Sequence, residues 1–300
     1  MSSPSRAPTQ GFVYAILAYA SWGVFPIYWK FFGPVSPLEV ISHRVVWSLV
    51  LMLVLVGLTG QVAELREVLR NGRRVGVLFL TATLLSVNWG SFVYGVVSGQ
   101  IVQTSLGYFL NPLFSILLAL VFLKERLNRW QIVAVVLAAL GVLHFGWHLG
   151  RVPWIAIGLA VSFGFYGLLR KVVAVTPLVG LTVETALMLP VALGIIYFLS
   201  AKQTAIFGAS TPLTLLFLGA GVVTTLPLLW FNNAAKLLPL STLGFMQYLA
   251  PTLQLLCGIV LYREPFTFRE GLSFVLIWAA IVIFLISMPR VKTPLVPNAD

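Results

Sequence analysis

The chain has 300 residues, of which 59% are hydrophobic and only 9% are charged, and its formal net charge is +11. Soluble domains carry about 25% charged residues, and a globule of this size leaves about a quarter of its chain surface in water, so the composition excludes a water-soluble fold. The basic residues lie in short segments between apolar runs, which indicates a protein of the lipid bilayer and not a nucleic-acid-binding protein.

Ten apolar stretches follow one another, each close to the 20 or so residues that a helix needs to cross the hydrocarbon core. The sequence therefore predicts an all-α integral membrane protein, with transmembrane helices at about 11–30, 38–58, 75–96, 101–123, 130–148, 153–172, 178–199, 212–231, 240–261 and 270–288. The first run lacks a small-residue cleavage motif, so we expect a retained helix after a short polar tail. The longest connection, 59–74, mixes charges with apolar residues and predicts a small interfacial helix.

The distribution of Lys and Arg predicts the orientation. With a cytoplasmic N-terminus, the inner segments hold 13 of the 19 basic residues and the outer segments hold 5; Arg44 lies inside a helix and is not counted. We therefore expect both termini, residues 1–10 and 289–300, in the cytoplasm of a bacterial cell, with the chain in its inner membrane.

The chain contains an internal repeat. Ala20–Phe25 resembles Val161–Tyr166, and a colinear series of further matches follows at a nearly constant offset along the sequence. A unit of five helices is odd, so the second copy must enter the membrane from the opposite side. The sequence therefore predicts two inverted five-helix repeats, 11–148 and 153–288, an architecture typical of carriers that work by alternating access.

Several motifs identify a family. They are Ser42–Ser48, Ser105–Leu113, Leu123–Leu127, Glu184–Pro190 and Leu243–Pro251. These motifs resemble those of the RarD branch of the drug/metabolite transporter superfamily, which has EamA-type domains, and they follow one another in the same order. The resemblance covers nearly the whole chain. It implies ten helices in two repeats, a secondary carrier, and a link to chloramphenicol sensitivity that does not define the physiological solute.

Glu184 is the candidate coupling residue. It lies about seven residues inside an otherwise apolar helix, where an ionisable group is costly and usually faces a cavity or a partner. A proton-coupling or cation-binding role and a structural role, bonded to a neighbouring helix, are about equally favoured.

His43 and Arg44 lie near the start of the second helix. Glu39 and His43 share a face of that helix, and Arg44 points about 100° away. The repeat aligns Arg44 with Glu184. Their expected depths leave about 10 Å between their backbones, so we expect them to line one cavity from opposite ends, without a direct ion pair.

Amide and aromatic side chains mark a candidate binding cavity, because buried amides in a bilayer need hydrogen-bond partners that a solute or a neighbouring helix supplies. The remaining candidates for this cavity are Trp22, Asn88, Tyr94, Tyr108, Asn111, Phe163, Asn232, Asn233, Gln247 and Tyr248. Pro112 and Pro251 occupy equivalent positions in the repeats and are candidate hinges, with a static kink as the alternative. His144 and His148 lack further ligands, so no metal site is predicted.

The leading hypothesis is a secondary active transporter of small organic solutes, with proton coupling through Glu184 as a candidate energy source. No nucleotide-binding motif is present, so no cofactor is predicted. The alternatives are an intramembrane enzyme, which needs a nucleophile–base pair or a metal cluster, and a non-transporting scaffold or receptor. The sequence does not define the solute, the direction of transport or the oligomeric state.

Overall fold

A computed structural model describes residues 6–98, 100–147, 152–263 and 268–287. The described residues form helices and connections without a strand. The helices are α1 (Arg6–Lys30), α2 (Pro37–Leu58), α3 (Val62–Arg70), α4 (Gly72–Val97), α5 (Ile101–Phe122), α6 (Arg129–Gly146), α7 (Trp154–Val172), α8 (Pro177–Ala201), α9 (Thr211–Leu237), α10 (Leu240–Met246), α11 (Leu249–Leu256), a π-helical turn (Cys257–Leu261) and α12 (Phe268–Ser287).

These helices have the lengths that a bilayer requires. Within the described ranges, nine segments are long and apolar enough to cross a membrane, and α10, α11 and the π-helical turn together make up one of them, Leu240–Leu261. The apolar segment Gly271–Ser287 of α12 is shorter. Large apolar side chains such as Leu53, Val54 and Leu143 are about half exposed or more on the outside of the bundle, where lipid is their natural solvent. The prediction of an all-α membrane protein is confirmed.

The connection after α2 contains the predicted short helix, α3. Val68 is fully buried and packs with Leu78 of α4 and Val179 of α8, while the charged residues of α3 stay at the surface. Glu64 accepts hydrogen bonds from the backbone N–H and the hydroxyl of Thr176. These contacts fix α3 against the connection between α7 and α8.

The two halves of the chain pack mainly against each other. The most extensive helix contacts join α5 with α7, α6 with α12, α1 with α9, α2 with α8 and with α9, α4 with α7, α5 with α10, and α1 with α11. In chain order, the predicted repeats match α1 with α7, α2 with α8, α4 with α9, α5 with α10 and α11 together, and α6 with α12. Exchanging each helix for its counterpart reproduces this set of contacts, apart from the pair α4–α8, whose contact is smaller. The packing therefore follows a pseudo-two-fold pattern.

Equivalent helices run in opposite directions. Asn128, before α6, donates to the carbonyl of Ser287 at the end of α12, while His144 near the end of α6 lies 2.9 Å from Ser273 near the start of α12. The same holds for α2 and α8, because Val45 packs in one cluster with Met188, and Met52 in another with Leu181. Antiparallel counterparts are what an inverted repeat requires.

The bundle has two ends, which we name after the connections they contain. At the α1–α2 end, Glu39 accepts hydrogen bonds from the backbone of Ile206 and Phe207 at 2.8 and 2.9 Å. At the α7–α8 end, Glu125 accepts from the backbone of Leu240 and Ser241 at 2.7 and 3.1 Å. Each carboxylate satisfies backbone N–H groups at the bundle end that hydrophobic burial alone would leave unpaired.

The ninth span is interrupted between α10 and α11. Pro251 has no N–H to donate to the carbonyl of Gln247, and that carbonyl accepts a shorter-range bond from Ala250 instead. Its counterpart Pro112 lies inside the continuous helix α5. The two prolines thus occupy equivalent positions in differently shaped helices, and their role as hinges stays a prediction.

Candidate functional site

A cavity of about 230 Å³ lies inside the bundle and extends toward the α1–α2 end. It is lined by residues of both halves, and eight of its 19 lining residues are aromatic. The aromatic residues are Tyr19, Trp22, Phe25, Trp29, Trp89, Phe92, Tyr108 and Phe163. Ligand sites for drug-sized molecules measure roughly 300–1,000 Å³, so this cavity suits a small metabolite.

The polar side of the cavity is centred on Arg44. Its Nε donates to the hydroxyl of Thr224 at 2.8 Å. The guanidinium carbon lies 4.8 Å from the ring centre of Trp29 and 4.7 Å from that of Trp89, within the range of cation–π contacts. A cation is thus held against two indole rings inside the bundle.

Four amides complete the polar lining: Asn88, Asn111, Gln247 and Gln254. Asn88 donates to the carbonyl of Leu159 at 3.0 Å, and Gln254 donates to the carbonyl of Trp22 at 3.0 Å, so both are fixed by neighbouring helices. The Oδ1 atom of Asn111 is buried and has no hydrogen-bond partner among the described residues. Asn111 therefore has an unused polar atom beside the cavity.

A second polar cluster lies closer to the α7–α8 end. Arg170 and Glu184 are both fully buried, and Nη1 of Arg170 lies 3.6 Å from Oε1 of Glu184. Thr81 donates to the same carboxylate at 2.6 Å, and Nε of Arg170 donates to the Oδ1 atom of Asn232 at 3.0 Å. Tyr166 lies within 3.5 Å of both Glu184 and Asn232. Arg170 and Glu184 are thus paired with each other and hydrogen-bonded to further protein groups.

A glycine makes room for this ion pair. A Cβ atom at Gly180 would lie 2.0 Å from Nη1 of Arg170. Only a residue without a side chain allows the guanidinium to turn back from the last turn of α7 into the bundle.

The structure brings many of the predicted site residues together. Those that line the cavity are Trp22, Arg44, Asn88, Tyr108, Asn111, Phe163, Gln247 and Pro251. Among the other predicted residues, Glu184 and Asn232 belong to the second cluster. The expectation that Arg44 and Glu184 line the same cavity is wrong, because Arg170 partners Glu184 away from the cavity.

Other predicted residues lie outside the cavity lining, and helix periodicity explains one of them. Tyr94 is 62% exposed, because at about 100° per residue it points away from the face of α4 that carries Asn88 and Phe92. Asn233 bonds to the carbonyl of Leu229 in its own helix. His43 stacks on Phe207 with 4.4 Å between ring centres.

The last two of these residues lie in packed regions. Tyr248 is fully buried in an apolar cluster with Phe245 and Phe284. Pro112 is buried within α5, where its carbonyl lies against Gly244. His148 lies outside the described residues.

Sequence reasoning missed four important residues: Trp29, Thr81, Tyr166 and Arg170. In the sequence, Arg170 counts only as a charge of an inner segment. The repeat contains a signal for it, since the alignment that matches Lys30 with Lys171 also matches Trp29 with Arg170.

Together, the lipid-exposed apolar surface, the pseudo-two-fold packing and the cavity between the halves define a multi-pass membrane protein with a solute-sized internal site. Comparison with known proteins assigns it to a family. The model of the EamA-like transporter family matches residues 9–147. The uncharacterized transporter YojE of Bacillus subtilis is 42% identical over 94% of this chain and 96% of its own length. Protein RarD of Escherichia coli is 41% identical over 94% of this chain and 95% of its own length.

The chain therefore belongs to the RarD branch of the EamA-like transporters, as its motifs predicted. It is a multi-pass bacterial membrane transporter of the drug/metabolite type. A solved crystal structure has a TM-score of 0.71 and covers 96% of this chain and 100% of its own, at 17% sequence identity. That similarity shows the fold alone.

Proposed function

We propose that the protein is a secondary carrier that moves a small organic solute through the central cavity by alternating access. The observation that carries this proposal is the cavity itself, which is solute-sized, lined by both halves and polar at Arg44 and the neighbouring amides. Sites at the interface between inverted repeats are typical of such carriers.

The difference between the two ends supports alternating access. The cavity includes Phe25, Trp29 and Arg44 near the α1–α2 end, whereas the corresponding residues Tyr166, Arg170 and Glu184 are buried near the α7–α8 end. Two halves of one fold can exchange conformations. In the exchanged state the α7–α8 end opens and the α1–α2 end closes around Arg44.

The orientation is part of the proposal. With both termini in the cytoplasm of the inner membrane, as the Lys and Arg distribution favours, the α1–α2 end faces the periplasm. The cavity then lies in the periplasmic half of the bilayer, and the Arg170–Glu184 pair closes the cytoplasmic half.

We include proton coupling through Glu184 in the proposal. Protonation of Glu184 removes the negative charge that holds Arg170, and an unpaired buried guanidinium favours the open form of that end. A proton would therefore couple to the opening of the α7–α8 end.

Distances between spin labels at the two ends test alternating access. One pair is placed at Phe31 and Gln203 of the α1–α2 end, and the other at Arg70 and Leu237 of the α7–α8 end; all four residues are exposed. The protein is reconstituted in nanodiscs, and its solute is found by a metabolite screen in proteoliposomes. A carrier shortens one distance as it lengthens the other when solute is added.

Three results contradict the proposal. A channel or a scaffold gives distances that stay fixed or change in the same direction. If folded protein in the liposomes transports no metabolite of the screen, the proposed carrier function is wrong. A solute consumed and converted by the purified protein identifies an enzyme instead.

A further inference from the structure

We infer that Arg44 binds the carboxylate of the transported solute, and that this solute is a small monoanion with an aromatic or similarly flat apolar body. The inference rests on the proposed carrier function, whose solute it assigns to a chemical class. It is carried by three features of the cavity: an unpaired cation, a free hydrogen-bonding edge on that cation, and aromatic walls.

The charge of Arg44 has no counterpart in the described protein. The described residues form two ion pairs, Glu67 with Arg74 and Arg170 with Glu184, and neither includes Arg44. A guanidinium stays protonated in proteins, and an unpaired charge inside a bilayer is costly. The contacts with Trp29 and Trp89 stabilise it partly but supply no negative charge. A bound anion would supply that charge.

The free edge of the guanidinium fits a carboxylate. Its Nε is occupied by Thr224, while its two terminal amino groups form no hydrogen bond with another described residue. A planar guanidinium binds a carboxylate through two parallel N–H···O bonds. Thr224 and the two indoles hold Arg44 in place for such a contact at the cavity wall.

The second half of the chain contains an arginine–carboxylate ion pair, which the cavity lacks. Arg170 and Glu184 occupy the positions that correspond to Trp29 and Arg44. At those positions the protein supplies both cation and carboxylate, 3.6 Å apart. At the cavity it supplies only the cation, so the carboxylate must come with the ligand.

The walls of the cavity select the body of the solute. Trp22, Phe25, Phe92 and Phe163 are among the aromatic residues that line it, and they favour a flat apolar group over a sugar. Arg44 is the single cation among the described lining residues, which matches a monocarboxylate better than a doubly charged phosphate ester.

A charge series of equal size tests the inference. Phenylacetate, phenylacetamide and phenethylamine share one ring and differ in charge, while acetate and inorganic phosphate lack the ring. Binding to the purified full chain is measured by calorimetry and by ligand-induced thermal stabilisation. Phenylacetate is expected to bind about tenfold or more tightly than the amide, because a charge-assisted contact is lost in the amide.

Variants assign the effect to Arg44. Arg44→Met should remove the preference for phenylacetate without lowering the unfolding temperature of the free protein, because it removes an unpaired charge; Arg44→Lys should keep part of the preference. Lys30→Met is the matched control, since Lys30 lies over the ring of Tyr262 and not in the cavity lining. It should bind phenylacetate as the wild type does.

Several outcomes overturn the inference. They are equal binding of the three ring compounds, tighter binding of phosphate than of phenylacetate, binding that Arg44→Met leaves unchanged, and no binding of the series at millimolar concentration. Transport of a neutral or cationic solute would overturn it while leaving the carrier function intact. Conversely, phenylacetate binding without transport of any solute would support the anion site and remove the carrier function.

Discussion

Arg44 and Glu184 occupy corresponding positions of the two repeats, and so do the residues that they contact, Trp29 and Arg170. Arg44 lies against the ring of Trp29, with 4.8 Å to its centre, and Glu184 lies 3.6 Å from Arg170. The same backbone arrangement thus holds an unpaired cation in the cavity and a complete ion pair near the opposite end. The helix packing is pseudo-two-fold symmetric, whereas the side chains at the two ends differ.

The space that Gly180 leaves for the side chain of Arg170 gives a prediction about stability. Gly180→Ala places a methyl group 2.0 Å from Nη1 of Arg170, which must leave Glu184 or shift α8. Breaking a buried ion pair costs about 3–5 kcal/mol, so the unfolding free energy should fall by about 3 kcal/mol. Tryptophan fluorescence during thermal unfolding in detergent measures the change.

Gly194→Ala is the control for this substitution. Gly194 lies in the same helix, and a Cβ atom there would meet nothing within 4 Å. Its unfolding temperature should equal or exceed that of the wild type, because alanine is the better helix former. Equal stability of the two alanine variants would show that the Arg170 pair does not depend on Gly180.

The orientation of the chain gives a second prediction. Cysteines at Gly72 and Ser98, placed singly in a Cys257→Ala background, lie at opposite ends of α4 and are exposed. An impermeant thiol reagent added to intact cells should label position 98 and not position 72. Labelling of position 72 from outside would reverse the orientation, and the cavity would then lie toward the cytoplasm.

The fold was largely predictable because span length and hydropathy are local properties of the chain. Predicted span 38–58 and observed helix Pro37–Leu58 differ by one residue at one end. The exception is the ninth span, where Pro251 interrupts the helix at a point that hydropathy does not mark.

The site was less predictable, because it depends on which way a side chain turns. Arg170 lies in the last turn of α7, where a sequence pattern indicates an interfacial charge equally well. Its complete burial and its contact with Glu184 in the folded structure show that it turns inward. Tyr94 was assigned to the cavity because of its aromatic side chain. Its position around the axis of α4 instead places it on the outside of the bundle.

The two prolines give a third prediction. Pro251 interrupts its helix and lines the cavity, whereas Pro112 lies in a continuous helix. If these residues are hinges, Pro251→Ala should join α10 and α11 more continuously and shift the spin-label distances at both ends. Pro112→Ala should shift them less. Equal, unshifted distributions for both variants, with and without solute, would leave the prolines as static packing features.

Glu184 gives the last prediction, which separates coupling from stability. Glu184→Gln keeps the size of the side chain but leaves Arg170 without its counter-charge, so the unfolding free energy should fall by about 3 kcal/mol. The double variant Glu184→Gln with Arg170→Gln removes both charges and should recover most of that loss. A double-mutant cycle on the unfolding free energies measures the coupling between them.

Transport by the double variant then tests the proton. With the charge pair gone and stability recovered, it should still exchange solute across proteoliposomes, but it should no longer accumulate solute in response to a pH gradient. Glu67→Gln is the control, because Glu67 forms a surface ion pair with Arg74 and should affect neither property. Wild-type accumulation by the double variant would make Glu184 a structural residue. Transport by the wild type that is independent of pH would make the protein a uniporter or an exchanger, and the Arg170–Glu184 pair would then close its end of the bundle without a proton.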